Sequence, residues 1–73
     1  MTKDIIKIFS TNMKRIRLKN GLTQEELSFK IGAHRNYISD TERGKRNITL
    51  RILEKIARGL GVTVAELFTD IKD

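Results

Sequence analysis

The sequence predicts an all-α fold of five short helices in a single domain, residues 1–73. Two patterns carry that expectation. Apolar residues recur at steps of three and four, the spacing of one helix face. Most of these runs start beside a residue able to cap a helix and stop at a glycine. A third observation is negative. The chain has no proline, and the alternation in Val62-Thr63-Val64 is too short for a strand.

The first helix is expected from about Asp4 to Asn20, with Ile5, Phe9, Met13 and Ile16 on one face and Gly21 as a left-handed cap. Thr23 opens the second helix, and Glu26, three residues on, completes a capping box. Leu27 and Ile31 face inward, Ser28 is small enough to admit another helix, and Gly32 ends the segment. Phe29 lies off the inward face and is expected to pack against a neighbouring segment. Ala33 and His34 make a tight turn into a third helix, Arg35 to about Arg43, with Ile38 inward and Gly44 as its stop. A basic loop, Lys45 to Ile48, follows. Thr49 caps a fourth helix, Leu50 to Leu60, that sets Leu53, Ile56, Ala57 and Leu60 on one face before Gly61. Thr63 and Glu66 form a second capping box, opening a short fifth helix with Leu67, Phe68 and Ile71.

Composition narrows the function. Fifteen Lys and Arg stand against nine Asp and Glu, a net charge of +6. That excess favours a polyanionic partner, nucleic acid before an acidic membrane surface. Lys14, Arg15, Arg17 and Lys19 cluster early and Arg43, Lys45, Arg46 and Arg51 in the middle, while the tail carries Glu66, Asp70 and Asp73 against Lys72. The positive charge is therefore expected on one part of the fold. No Cys is present, so a disulfide-stapled secreted protein is not expected. No apolar run nears the roughly 18 residues of a membrane span, and no signal-peptide pattern opens the chain. Cytoplasmic residence, near the nucleoid, is the expectation, with no membrane partner. A domain this small leaves roughly 40% of its unfolded-chain surface exposed, which favours oligomerisation. One His and no Cys cannot complete a metal site. There is no Gly-rich phosphate loop, and nothing marks Ser39 and His34 as a catalytic pair. Neither an enzyme nor a bound cofactor is expected.

The central stretch, Thr23 to Gly44, carries the chemistry. A helix fits the major groove of B-DNA, where each base pair shows a distinct donor and acceptor pattern. The third helix opens with long or planar polar groups suited to that pattern. Arg35 can pair with guanine and Asn36 with adenine, each through two hydrogen bonds. Tyr37 offers a hydroxyl to phosphate and a ring edge to a thymine methyl, and Asp40 can accept from a cytosine amino group. The second helix would cross the backbone with its free N–H groups toward phosphate, helped by Gln24. Arg43, Lys45 and Arg46 would grip a neighbouring phosphate run, setting register rather than sequence preference.

Asn20-Gly21-Leu22-Thr23-Gln24-Glu25-Glu26-Leu27, then Gly32, Tyr37-Ile38-Ser39 and Glu42-Arg43-Gly44, resembles the helix-turn-helix family of phage repressors and their bacterial relatives, the Cro/XRE type. Leu60-Gly61-Val62-Thr63 is similar to that family's fourth-to-fifth helix junction. The resemblance runs from about Phe9 to Phe68 and implies a lambda-repressor-like domain with its helix-turn-helix at about 23–44. Within the family, Arg35-x-Tyr37-Ile38-Ser39 and Glu42-Arg43-Gly44-x-Arg46-Asn47 look most like the controller proteins of restriction–modification systems. Small phage repressors and antitoxins share much of this pattern.

The resemblance implies roles. Gln24, Arg35, Asn36 and Asp40 match positions that face DNA; Tyr37, Ser39, Arg43 and Arg46 match positions near the backbone or base edges. Arg17 and Glu42 match an internal salt bridge between the first helix and the recognition helix. Two departures stand out. Thr41 replaces a larger apolar residue, implying looser packing, and His34 stands where controllers often have Asp, within reach of a phosphate. Glu25 is the candidate for a contact to RNA polymerase, because Glu26 is taken up by capping. Apolar residues near the end exceed what the core needs: Ile52, Val64, Phe68 and Ile71 are the candidate interface with a second copy. Such a homodimer would set two recognition helices about 34–36 Å apart on a DNA operator. The resulting expectation is an autoregulating transcription regulator, activator and repressor by turns. A competing expectation is an antitoxin whose apolar end takes a toxin.

Overall fold

The computed structural model describes residues 4–69. It contains four α-helices: α1 Ile5–Lys19, α2 Gln24–Ile31, α3 Arg35–Glu42 and α4 Leu50–Leu60. Local chemistry sets most of the ends. The Asp4 carboxylate accepts from the Ile6 N–H at 3.0 Å and starts α1. At α2 the capping box is complete: Thr23 Oγ1 accepts from the Glu26 N–H at 3.0 Å, and the Thr23 N–H donates to Glu26 Oε1 at 2.8 Å. Thr49 Oγ1 accepts from the Ile52 N–H at 3.1 Å and starts α4. Gly32 and Gly61 close α2 and α4 at φ +70° and +72°, backbone that L side chains rarely adopt.

Each element gives the centre one fully buried apolar side chain: Met13 from α1, Leu27 from α2, Ile38 from α3, Ile56 from α4 and Leu67 from the final turn. Burying one such side chain stabilises by about 1.5–3 kcal/mol, so no single element holds the fold alone. α4 approaches α2 closely at Gly59. A Cβ there would sit 2.6 Å from Ile31 Cγ2 and 3.3 Å from Leu27 Cδ1, so the missing side chain is what lets α4 lie against α2. Ser28, the small residue expected to permit such an approach, is buried too, and its Oγ donates to the Glu25 carbonyl at 2.6 Å.

Two polar tethers, one buried and one exposed, draw distant segments together. Asn12 is fully buried, and its Nδ2 donates to the Leu67 carbonyl at 3.0 Å and the Thr69 carbonyl at 2.7 Å. Asn20 Nδ2 donates to the Leu60 carbonyl at 2.9 Å, tying the end of α1 to the end of α4.

Three expectations need correcting. The fifth helix is a single 3-10 turn, Ala65–Phe68. Its capping geometry is present, with the Glu66 N–H 3.2 Å from Thr63 Oγ1, but the Asn12 carboxamide takes the Leu67 and Thr69 carbonyls. Phe29 does not pack against a neighbour. It is 82% exposed, because Leu27, Ser28 and Ile31 already define the inward face and Phe29 points away from it. Thr41, the departure from a larger apolar residue, is buried under α3, and its Oγ1 donates to the Tyr37 carbonyl at 2.7 Å. Ile52 and Phe68 are not simply surplus. Both pack partly against the core, and the Phe68 ring stacks on Phe9 with centroids 5.7 Å apart. Val64 is 39% exposed, and Ile71 lies outside the described residues.

Candidate nucleic-acid interface

α3 begins at Arg35 because His34 caps it. His34 Nδ1 accepts from the Asn36 N–H at 3.0 Å. In the neutral ring the proton then sits on Nε2, where it can donate outward. This capping role was readable only as a flank in the sequence, since His is not among the favoured caps. Arg35 and Asn36 are exposed, Tyr37 is half-buried, and Arg35 and Asn36 make no side-chain hydrogen bond among the described residues. The first turn of α3 thus presents an arginine, a carboxamide and a phenol to solvent, with its backbone held from both ends.

The far end of α3 is held by Glu42. Arg17 Nε donates to Glu42 Oε2 at 2.6 Å and Arg17 Nη2 to Oε1 at 3.0 Å, a two-point pairing. Arg17 Nη1 donates to the Leu22 carbonyl at 2.7 Å. The two side chains are only 7% and 2% exposed. Gln24 joins the same carboxylate, its Nε2 donating to Glu42 Oε1 at 3.1 Å. So α1, the loop before α2, α2 itself and the end of α3 meet around one buried ion pair. Gln24, expected at the backbone, has its amide turned inward, leaving one N–H and the oxygen for other partners.

Along the exposed side, Asp40 is engaged with two arginines. Its Oδ1 accepts from Arg43 Nη2 at 2.9 Å, and its Oδ2 lies 3.6 Å from Arg46 Nε. The hydrogen bond from Arg43 holds the Asp40 carboxyl below the usual carboxylate range. Partial burial opposes this, and the charges of Arg43, Arg46 and Lys45 add to it. The Arg46 guanidinium lies over the Tyr37 ring, 4.6 Å from its centroid. Arg43, Lys45 and Arg46 are exposed beside α3, and Ser39 is half-buried on it. Arg35, Asn36, Tyr37, Asp40, Arg43 and Arg46 therefore share one side of the fold.

Positive charge is not confined there. Lys30, Lys55 and Arg58 line an open groove of about 310 Å³ with Ile31 and Gly59, between the ends of α2 and α4. These residues are scattered in the chain, so no cluster marks them in the sequence. Asn12 was also missed, although it falls on the inward stripe between Phe9 and Met13, where a polar residue signals a buried tether. Glu25 is exposed, while the Glu26 carboxylate is taken up by the cap. Among the described residues no group of three or more His, Cys, Asp or Glu could hold a metal ion, and no helix is long and apolar enough to cross a membrane.

Residues 13–67 match the helix-turn-helix family. Control protein C.BamHI of Bacillus amyloliquefaciens is 46% identical over 74 aligned residues, covering 97% of this chain and 91% of that one. Among solved structures, the restriction-modification controller protein C.AhdI of Aeromonas hydrophila superposes with a TM-score of 0.83 at 36% identity, over 86% of this chain and 96% of that one. The controller C.Esp1396I, solved as a tetramer with its natural 35 base-pair operator, superposes with a TM-score of 0.82 at 40% identity, over 92% of this chain and 88% of that one.

Proposed function

The chain belongs to the helix-turn-helix family of DNA-binding transcription regulators, not to the enzymes, and we propose that within it the protein is a homodimeric controller of restriction–modification genes. The observation that carries the DNA-reading part is the first turn of α3. Arg35 and Asn36 are exposed and free of hydrogen bonds to described side chains, on a helix fixed by a buried ion pair. Binding then needs little rearrangement of the reader. Arg35 and Asn36 contact base edges, Tyr37 a thymine methyl or phosphate, and Arg43, Lys45, Arg46, Ser39 and His34 the backbone. Resemblance to control proteins supports the controller role. A controller of this kind acts on its own promoter and on that of an endonuclease, activating when scarce and repressing when abundant. The exposed Glu25 carboxylate suits a contact to RNA polymerase. Val64, with the outer edges of Ile52 and Phe68, supports pairing through the end of the chain.

Titrating duplex DNA at graded salt tests the reading. Contact with about six to ten phosphates weakens binding by roughly 10³–10⁵ between 50 and 200 mM salt. Binding indifferent to salt would contradict it. A protein that stays monomeric and ignores duplex DNA would favour an antitoxin-like module instead.

A further inference from the structure

Asp40 sits where the exposed side of α3 meets the basic loop, and both of its oxygens face arginines, Arg43 at 2.9 Å and Arg46 at 3.6 Å. Arg46 in turn lies on the Tyr37 ring. One carboxylate therefore holds two exposed guanidinium groups and, through one of them, a residue of the reading turn. The Arg43 pair is an ordinary i,i+3 contact on a helix. The Arg46 pair is not: it reaches back across the turn closed by Gly44 at φ +72°.

We infer that Asp40 is an internal counter-ion whose task is to suppress binding to DNA of the wrong sequence. The inference rests on the DNA-binding reading above. Non-specific affinity comes almost wholly from cations meeting phosphates. Arg43 and Arg46 can meet phosphates only by leaving Asp40 or by carrying its negative charge toward the backbone, where like charges repel. At a random site nothing offsets that cost. At a site that presents a cytosine amino group to α3, the carboxylate gains a donor in exchange for its arginines. Asp40 thus penalises the wrong sites more than the right one, and selectivity is a difference of that kind.

The test compares the wild-type protein, Asp40→Asn and Asp40→Glu on two duplexes: one of mixed random sequence, and one selected from a random pool by the wild-type protein. Thermal melting shows first that the variants are folded. Asp40→Asn is expected to bind the random duplex more tightly, with a salt slope steeper by about 0.9 for each arginine freed. That gain should shrink by roughly 3.5-fold per freed arginine between 50 and 200 mM salt. The ratio of selected to random affinity should fall, and Asp40→Glu should restore the wild-type slope. Unchanged affinity and slope on the random duplex would overturn the inference while leaving DNA binding intact. Failure of the wild-type protein to bind any duplex would instead overturn the reading on which it rests.

Discussion

Arg17 and Arg35 carry the same guanidinium in opposite surroundings. Arg17 is buried and makes three hydrogen bonds, two to Glu42 and one to the Leu22 carbonyl. Arg35 is exposed, with no hydrogen bond from its side chain to the described residues. The two belong to one device, since Arg17 fixes the end of the helix that Arg35 begins. A charge that is satisfied inside the fold gives rigidity; one left unsatisfied is available to a ligand. Counting basic residues in the sequence merges these two roles, and only their surroundings separate them.

The comparison breaks first at Glu42. Glu42→Ala strands the Arg17 charge in the interior and should cost about 3–5 kcal/mol. A 73-residue domain has only about 4–11 kcal/mol in total, so urea unfolding should show a protein near or past its limit. A loss under about 1 kcal/mol would mean that the pair is not what holds α3. Arg35→Ala should do the reverse. Its stability should stay within about 0.5 kcal/mol of wild type, while binding loses about 1–3 kcal/mol and the preference at one base position relaxes. A uniform loss across sequences would make Arg35 a phosphate contact.

Gly59 asks whether the scaffold is as tight away from the ion pair. Gly59→Ala places a methyl 2.6 Å from Ile31 Cγ2. Overpacking of about 1–3 kcal/mol, less about 1 kcal/mol of helix propensity, leaves a net loss of up to about 2 kcal/mol in the melt. A stabilised variant would show that α2 and α4 can part without cost. The smallest effect belongs to Asp40 on the exposed side. Its carboxyl is held below 3.8 in the folded state, so its pairing stabilises the fold above that value and is lost as pH falls through the lower folded value. The stability difference between wild type and Asp40→Asn should therefore be flat near neutrality and close in strong acid. A difference that instead changed between pH 6 and 8 would point to another group.

What was legible in the sequence was local. Thr23 with Glu26, Thr49, Gly32 and Gly61 act within a few residues of themselves, and each cap forms where the spacing put it. The inward stripe of α4 was equally plain, because periodicity is itself a statement about one face, and that of α1 held for Phe9, Met13 and Ile16 but not for Ile5, which is 63% exposed at the start of the helix. What failed depended on distant partners. The final turn carries the signals of a helix, yet a carboxamide from α1 takes two of its carbonyls. Phe29 looks like a packing residue by type, yet it points away from the face that Leu27, Ser28 and Ile31 bury and is 82% exposed. In the site, the i,i+3 spacing of Asp40 and Arg43 was there to be read, whereas the return of Arg46 across Gly44 was not. The resemblance to a family carried the rest, because spacing alone does not tell a reading helix from a solvated one.

Asn12 and Arg17 both project from α1, five residues or about 7.5 Å apart along its axis. One grips the final turn and the other the end of α3. α1 is therefore a ruler between the segment proposed to pair two copies and the helix proposed to read each half of an operator. A pair built on such a ruler has its span fixed by a helix rather than by a hinge. Moving one half-site by a single base pair turns it by roughly 34° about the DNA axis, a displacement that a fixed span cannot follow. On the proposed pairing, the spacing of the two half-sites would then be part of the message along with the bases.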